Sequence, residues 1–115
     1  MGAFVISKRL DDQYKYEFTS RKGKTIYTSI AYELKFECTE DIEFIKQNLQ
    51  DCEFEKTKSQ GGKFFFKMSL HGRFLAISRK YTTALRLEKG IDEIVKYGSK
   101  SEILDFADSH NIFAD

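Results

Sequence analysis

One pattern is written twice along this chain, and no other feature restricts its possible folds as much. Gly23, Ile26, Ser29, Tyr32, Ile42 and Ile45 recur as Gly72, Leu75, Ser78, Tyr81, Ile91 and Ile94, each pair 49 residues apart. In both copies a turn glycine leads into a strand and then a helix. Ahead of the glycines the spacing is 50: Phe4 with Phe54, Tyr14 with Phe64, Tyr16 with Phe66, Phe18 with Met68. Hairpin loops differing by one residue account for the offset. His71-Gly72 reads as a two-residue turn and Arg21-Lys22-Gly23 as a three-residue loop, with glycine where each needs a positive φ. Each copy has about fifty residues, a marginal size for an independent core. The two copies are therefore expected to share one core.

The local patterns fix the elements. Tyr14-Lys15-Tyr16-Glu17-Phe18 alternates aromatic and charged residues, the period of a strand with one buried face. Phe4-Val5-Ile6 and Lys24 to Ile30 flank it as further strands. Leu34, Cys38, Ile42, Ile45 and Leu49 recur at helical spacing and form one apolar stripe, with Phe36 and Phe44 off it. The order then repeats: a strand Phe54 to Lys58, a hairpin Phe64 to Leu70 and Arg73 to Arg79, and a helix Thr82 to Tyr97. That helix turns Ala84, Leu87, Ile91, Ile94 and Val95 inward and stops at Gly98. The strand near Phe54 ends one unit and begins the next, and a strand near Ile103 closes the second.

The hairpin loops predict the pairings Phe66 with Ile77, Met68 with Leu75 and Phe18 with Ile26. These send Phe65, Lys67, Phe74, Ala76, Lys15, Glu17, Tyr27 and Ser29 to the opposite, open face. Ile112 and Phe113 of the tail are expected to fold over that face. The predicted fold class is α+β. Two pseudo-symmetric β-β-β-α-β repeats share one mostly antiparallel sheet, with two helices packed on one face. Residues 1–115 form a single domain of two repeats, about 3–51 and 52–105, plus a short tail, 106–115.

The chain resembles the YegP-like family, an uncharacterised and mainly bacterial group. The likeness rests on a tandem motif: Phe4, Lys8, Tyr14, Tyr16, Gly23, Ser29, Tyr32, Ile42 and Ile45, then Phe54, Lys58, Phe64, Phe66, Gly72, Ser78, Tyr81, Gly90, Ile91 and Ile94. The resemblance implies three strands, a helix and a strand per repeat, with the last strands exchanged between repeats, and no known activity. Three departures stand out. The family's Asn-Gly turn is Lys22-Gly23 in one copy and His71-Gly72 in the other. The glycine before the helix isoleucine is kept at Gly90 but is Asp41 in the first copy. The tail after Asp105 lies outside the pattern.

Composition bears mainly on what the chain is not. Hydrophobic residues make up 41% and charged residues 32%, with eleven Phe and six Tyr, as in an ordinary soluble globular protein. No apolar run is long enough to span a membrane. With no signal sequence expected, the predicted location is cytoplasmic. Cys38 and Cys52 are too few for a disulfide framework and are expected to be reduced, with Cys38 in the core. His71 and His110 lack triad or metal partners at a recognisable spacing. Gly61-Gly62 is followed by no Gly-Lys-Ser/Thr and is no phosphate loop. Ser29, Ser78, Tyr32 and Tyr81 read as backbone-bonding and packing residues. Glu40, Asp41 and Glu43 read as a solvated helix face. No catalytic residue, metal ligand or cofactor is predicted.

Charge is the uneven feature. Lys56 to Leu87 holds eight basic residues and no acidic one, whereas Glu33 to Glu55 holds eight acidic residues against Lys35 and Lys46. The favoured reading is that the two stretches neutralise each other within the fold. Anion binding by the second repeat and head-to-tail contact are the alternatives. The function expected is a small non-enzymatic binding or interaction module. The alternative is a nucleic-acid-binding module using the basic second repeat and exposed sheet aromatics. The candidate surface is Tyr27, Phe65, Lys67, Arg73 and Phe74. The partners implied are a protein, or nucleic acid bound weakly and salt-dependently, to a monomer away from membranes.

Overall fold

The aromatic alternation of the first third becomes three strands: β1 (Ala3–Lys8), β2 (Tyr14–Thr19) and β3 (Thr25–Ser29). A computed structural model describes residues 2–107. The stripe of Cys38, Ile42 and Ile45 becomes α1 (Lys35–Gln47), followed by a 3-10 turn at Leu49–Asp51. Then come β4 (Cys52–Lys58), β5 (Phe64–Leu70), β6 (Arg73–Ser78), α2 (Ala84–Tyr97), a 3-10 turn at Gly98–Lys100, and β7 (Glu102–Asp105). The tail residues Ile112, Phe113 and His110 lie outside the described residues.

All seven strands join one sheet in the order β4-β5-β6-β3-β2-β1-β7. Two antiparallel three-stranded meanders meet where β3 pairs with β6, Thr28 opposite Ile77. The strand after each helix leaves its own side. β4 follows α1 but pairs with β5, and β7 follows α2 but runs parallel to β1, Ile103 opposite Phe4. The sheet is thus antiparallel except at β1–β7, and the fold is α+β.

One face of the sheet carries both helices. Phe4, Ile6, Tyr16, Phe18, Phe66 and Met68 point into a core with Cys38, Ile42 and Ile45 of α1 and Leu87, Ile91 and Ile94 of α2. Leu34, Ala84 and Val95 were expected inward but are exposed. Leu34 and Ala84 sit at the helix starts, short of the buried turns, and Val95 lies one residue round from Ile94. The α2 start is capped by Thr83, whose Oγ1 accepts from the Arg86 N–H at 3.1 Å. The β5–β6 turn is the two-residue one expected, with His71 at φ 51° and Gly72 at φ 80°.

The hairpin registers differ from expectation by a β-bulge in each. Met68 pairs with Ala76 and Ser69 with Phe74, which leaves Leu75 as the extra residue; Phe18 pairs with Tyr27 and Thr19 with Thr25, which leaves Ile26. A bulge turns two successive residues toward one side. Ile26 and Tyr27 are both buried, and so are Leu75 and Ala76. Beyond each bulge the inward and outward sets are therefore exchanged. Tyr27, Ser29 and Ala76 face the core rather than the open face, and Ile77 is 42% exposed rather than inward. The serines complete the irregular ladder. Ser29 Oγ accepts from the Tyr16 N–H and Ser78 Oγ from the Phe66 N–H, both at 2.9 Å.

Candidate functional site

The five residues proposed as a binding surface do not form one patch. Tyr27 is fully buried, its hydroxyl 3.1 Å from that of Tyr16, and it is excluded from any surface. Phe65 is half-buried and lines a concavity of about 770 Å³ with Ile77, Lys58, Lys63 and Lys80. Lys67 is exposed in the middle of β5. Phe74 and Arg73 are exposed at the far end of β6, beside the His71-Gly72 turn.

Arg73 is committed to a partner on α1. Its Nη1 donates to Asp41 Oδ2 at 3.0 Å, and its Nη2 donates to the second carboxylate oxygen. The Tyr32 hydroxyl donates to the same Asp41 carboxylate. Asp41 is only 8% exposed, so it is not part of a solvated acidic face, contrary to expectation. The hydrogen bond to Asp41 raises the Arg73 pKa. Burial, and then donation to Asp41, push the Tyr32 phenol far up. Bidentate geometry of this kind suits guanidinium to carboxylate.

Neutralisation within the fold is only partial. Among the described residues only Asp41–Arg73 joins the acidic stretch to a cation of the basic one; Lys56 pairs with Glu88, which lies outside both stretches, and Asp51 Oδ2 lies 3.2 Å from His71 Nε2. Lys58, Lys63, Lys67, Arg79, Lys80 and Arg86 make no ion pair among the described residues. Phe44, off the apolar stripe, sets its ring edge-on against His71.

Three of these cations, Arg79, Lys80 and Arg86, line a second cleft, of about 440 Å³, between the start of β3 and α2. Lys24, Arg79, Lys80, Arg86 and Lys89 line it against one carboxylate, Glu93. Tyr81 and Gly90 complete the wall. A Cβ on Gly90 would stand 2.5 Å from the Tyr81 hydroxyl, so the bare glycine is what lets the ring close on the helix. The Arg79 guanidinium lies over the Tyr81 ring, 5.4 Å from its centre. The Tyr81 hydroxyl has no hydrogen-bond partner among the described residues. Burial raises its pKa, and Arg79 works against that rise. Sequence reasoning did not bring Lys24, Tyr81, Lys89 and Gly90 together. The exchange of Asp41 for Gly90 between the copies was the signal available.

The thiols sit apart from both concavities. Cys38 is buried and Cys52 half-buried, and both are free. Burial pushes the Cys38 thiol up to about 12 and the Cys52 thiol to about 11. Neither forms an appreciable thiolate near neutral pH.

The fold and cleft define an α+β protein whose seven-stranded sheet carries two helices on one face, with a basic cleft at one helix. No protein-family model matches the chain. It is 29% identical over 106 residues to UPF0339 protein YegP of Escherichia coli strain K12, covering 90% of this chain and 96% of that protein. It is 24% identical over 111 residues to UPF0339 protein plu2779 of Photorhabdus laumondii, covering 95% and 97%. The solution NMR structure of YegP from E. coli, a protein of unknown function, superposes with a TM-score of 0.78 at 26% identity, covering 92% of this chain and 93% of that one. UPF0339 protein SO3888 from Shewanella oneidensis shares the fold, with a TM-score of 0.78 at 20% identity over 99% and 98%. The chain is YegP-like in sequence and in fold, and these relatives are uncharacterised. Among the described residues no helix is long and apolar enough to cross a membrane.

Proposed function

We propose that this protein is a small, non-enzymatic, monomeric binding module of the cytoplasm, and that the cleft beside Tyr81 takes an anionic partner. One observation carries the reading. Lys24, Lys80, Arg86 and Lys89, none ion-paired among the described residues, converge on one concave site with an unbonded tyrosine hydroxyl. Like charges held together raise the local potential, and an anion relieves it. The volume lies within the range of small-ligand sites, roughly 300–1,000 Å³. Binding rather than catalysis is favoured because the thiols are held protonated and the hydroxyl is raised, so neither supplies a ready nucleophile. Free thiols fit a reducing compartment. The test is a titration of isotope-labelled protein with succinate, inorganic sulfate and inorganic phosphate at low salt. Saturable shifts at the Lys24, Tyr81 and Gly90 amides are expected, and their absence with every anion refutes the reading.

A second reading, nucleic-acid binding, is favoured by the adjoining concavity on the open face. There Phe65 and Ile77 sit among Lys58, Lys63 and Lys80, an aromatic ring beside cations where an unpaired base could stack. Fluorescence anisotropy with single-stranded RNA tests it. Binding that falls steeply with salt and is lost in Phe65→Ala supports it. An unchanged signal at low salt removes it.

A further inference from the structure

We infer that the cleft beside Tyr81 is built to receive a carboxylate, carried by a small di- or tricarboxylic acid, because the other half of the molecule holds a carboxylate of its own at the matching place. This rests on the anion-binding reading and names its ligand class. Three pairs of positions 49 residues apart supply the argument: Lys24 and Arg73, Tyr32 and Tyr81, Asp41 and Gly90. At the first set, the cation comes from the strand of one half and the tyrosine and acid from the other half. Arg73 and the Tyr32 hydroxyl both bond the Asp41 carboxylate. At the second set the cation and the tyrosine are kept, since Lys24 and Tyr81 line one cleft, but the acid is a glycine.

The neighbours change in the same direction. Glu37 and Glu40, beside Asp41, are matched by Arg86 and Lys89 beside Gly90. A site satisfied from within is thus matched by one where five cations face a single carboxylate, Glu93, and the Tyr81 hydroxyl is bonded to no acceptor among the described residues. A carboxylate arriving from solution would accept from Tyr81 and Lys24 in the cleft, displaced from the position of the Asp41 carboxylate because the Tyr81 hydroxyl lies 2.5 Å from where a Cβ on Gly90 would stand. Arg86, Lys89 and Lys80 line the same cleft and would hold further carboxylates of the same molecule. The volume of about 440 Å³ has room for them.

The experiment compares succinate with sulfate, which carry similar charge near neutral pH, and adds citrate, by NMR titration of the full chain at low salt. Succinate is expected to bind at least tenfold more tightly than sulfate, and citrate more tightly still. Gly90→Asp supplies the missing acid from within and should lower citrate affinity at least tenfold. The Tyr81 hydroxyl must move to admit that side chain, so Lys24→Ala and Tyr81→Phe provide independent variants, each expected to weaken citrate at least threefold. Sulfate binding as tightly as succinate at the same amides overturns the carboxylate inference and leaves the anion site standing. Absence of binding by all three overturns the carboxylate inference, and absence with inorganic phosphate as well overturns the anion site. Wild-type citrate affinity in Lys24→Ala and Tyr81→Phe places the ligand elsewhere and overturns the inference.

Discussion

Asp41 shows how one side chain can join the halves of a chain. It lies in the acidic stretch and holds Arg73 of the basic stretch together with the Tyr32 hydroxyl. Removing it leaves a guanidinium and a phenol without their acceptor. Because Arg73 is half exposed, Asp41→Ala should cost about 1–3 kcal/mol, below the range for fully buried pairs. Chemical denaturation of the variant measures it, and an unchanged midpoint would show the pair to be energetically idle. The thiols give a pH prediction. In the native state Cys38 and Cys52 titrate near 12 and 11, above the ordinary thiol value of 9.0. Above pH 9 the unfolded chain therefore releases thiol protons that the folded chain retains, and stability falls as pH rises toward 11. Urea midpoints measured from pH 8 to 11 should decline, and less steeply in Cys38→Ala/Cys52→Ala. An equal slope in that double variant would assign the decline to other groups.

At the scale of the element, the two bulged strands matter most. Each places two successive side chains in the core and hands one ladder bond to a serine hydroxyl. Ser29→Ala and Ser78→Ala each strand a buried backbone N–H, at an expected cost of about 1–3 kcal/mol. Equilibrium unfolding of each variant, beside an exposed control such as Ser99→Ala, checks this. Phe66, fully buried on β5, meets Phe54 edge-on with ring centres 5.2 Å apart. Phe66→Ala should cost about 3–5 kcal/mol, the range for a large core aromatic. A loss under 1 kcal/mol would mean that the core closes over the gap.

For the molecule as a whole, the order β4-β5-β6-β3-β2-β1-β7 makes each half depend on the other. β3 needs β6, β1 needs β7, and the strand after α1 is spent on β5. Residues 1–51 alone keep β1, β2, β3 and α1 but lose every strand that closes them. That fragment should be unfolded, or should self-associate through the exposed edges of β1 and β3. Circular dichroism with analytical ultracentrifugation decides the matter, because a stable folded monomer of this fragment would contradict the dependence.

The sequence by itself determined the elements, the turn glycines, the α+β class and the middle of each helix's core stripe, Cys38, Ile42 and Ile45 in α1 and Leu87, Ile91 and Ile94 in α2. All of these follow from periodicities within a few residues, where side-chain direction is set by local geometry. The bulges escaped it because an extra residue in one strand is defined only against its partner, so Tyr27 was assigned to the wrong face. The candidate cleft escaped it for a related reason. Lys24 and Gly90 become neighbours only because β3 pairs with β6 and α2 lies across that junction, a contact between distant parts of the chain. The fate of the charges was likewise tertiary. The sequence supplied Asp41 at one position and Gly90 at the matching one, and packing brought Arg73 and Tyr32 to the first and Lys24 and Tyr81 to the second, so that one site closes on its own carboxylate and the other stays open and basic.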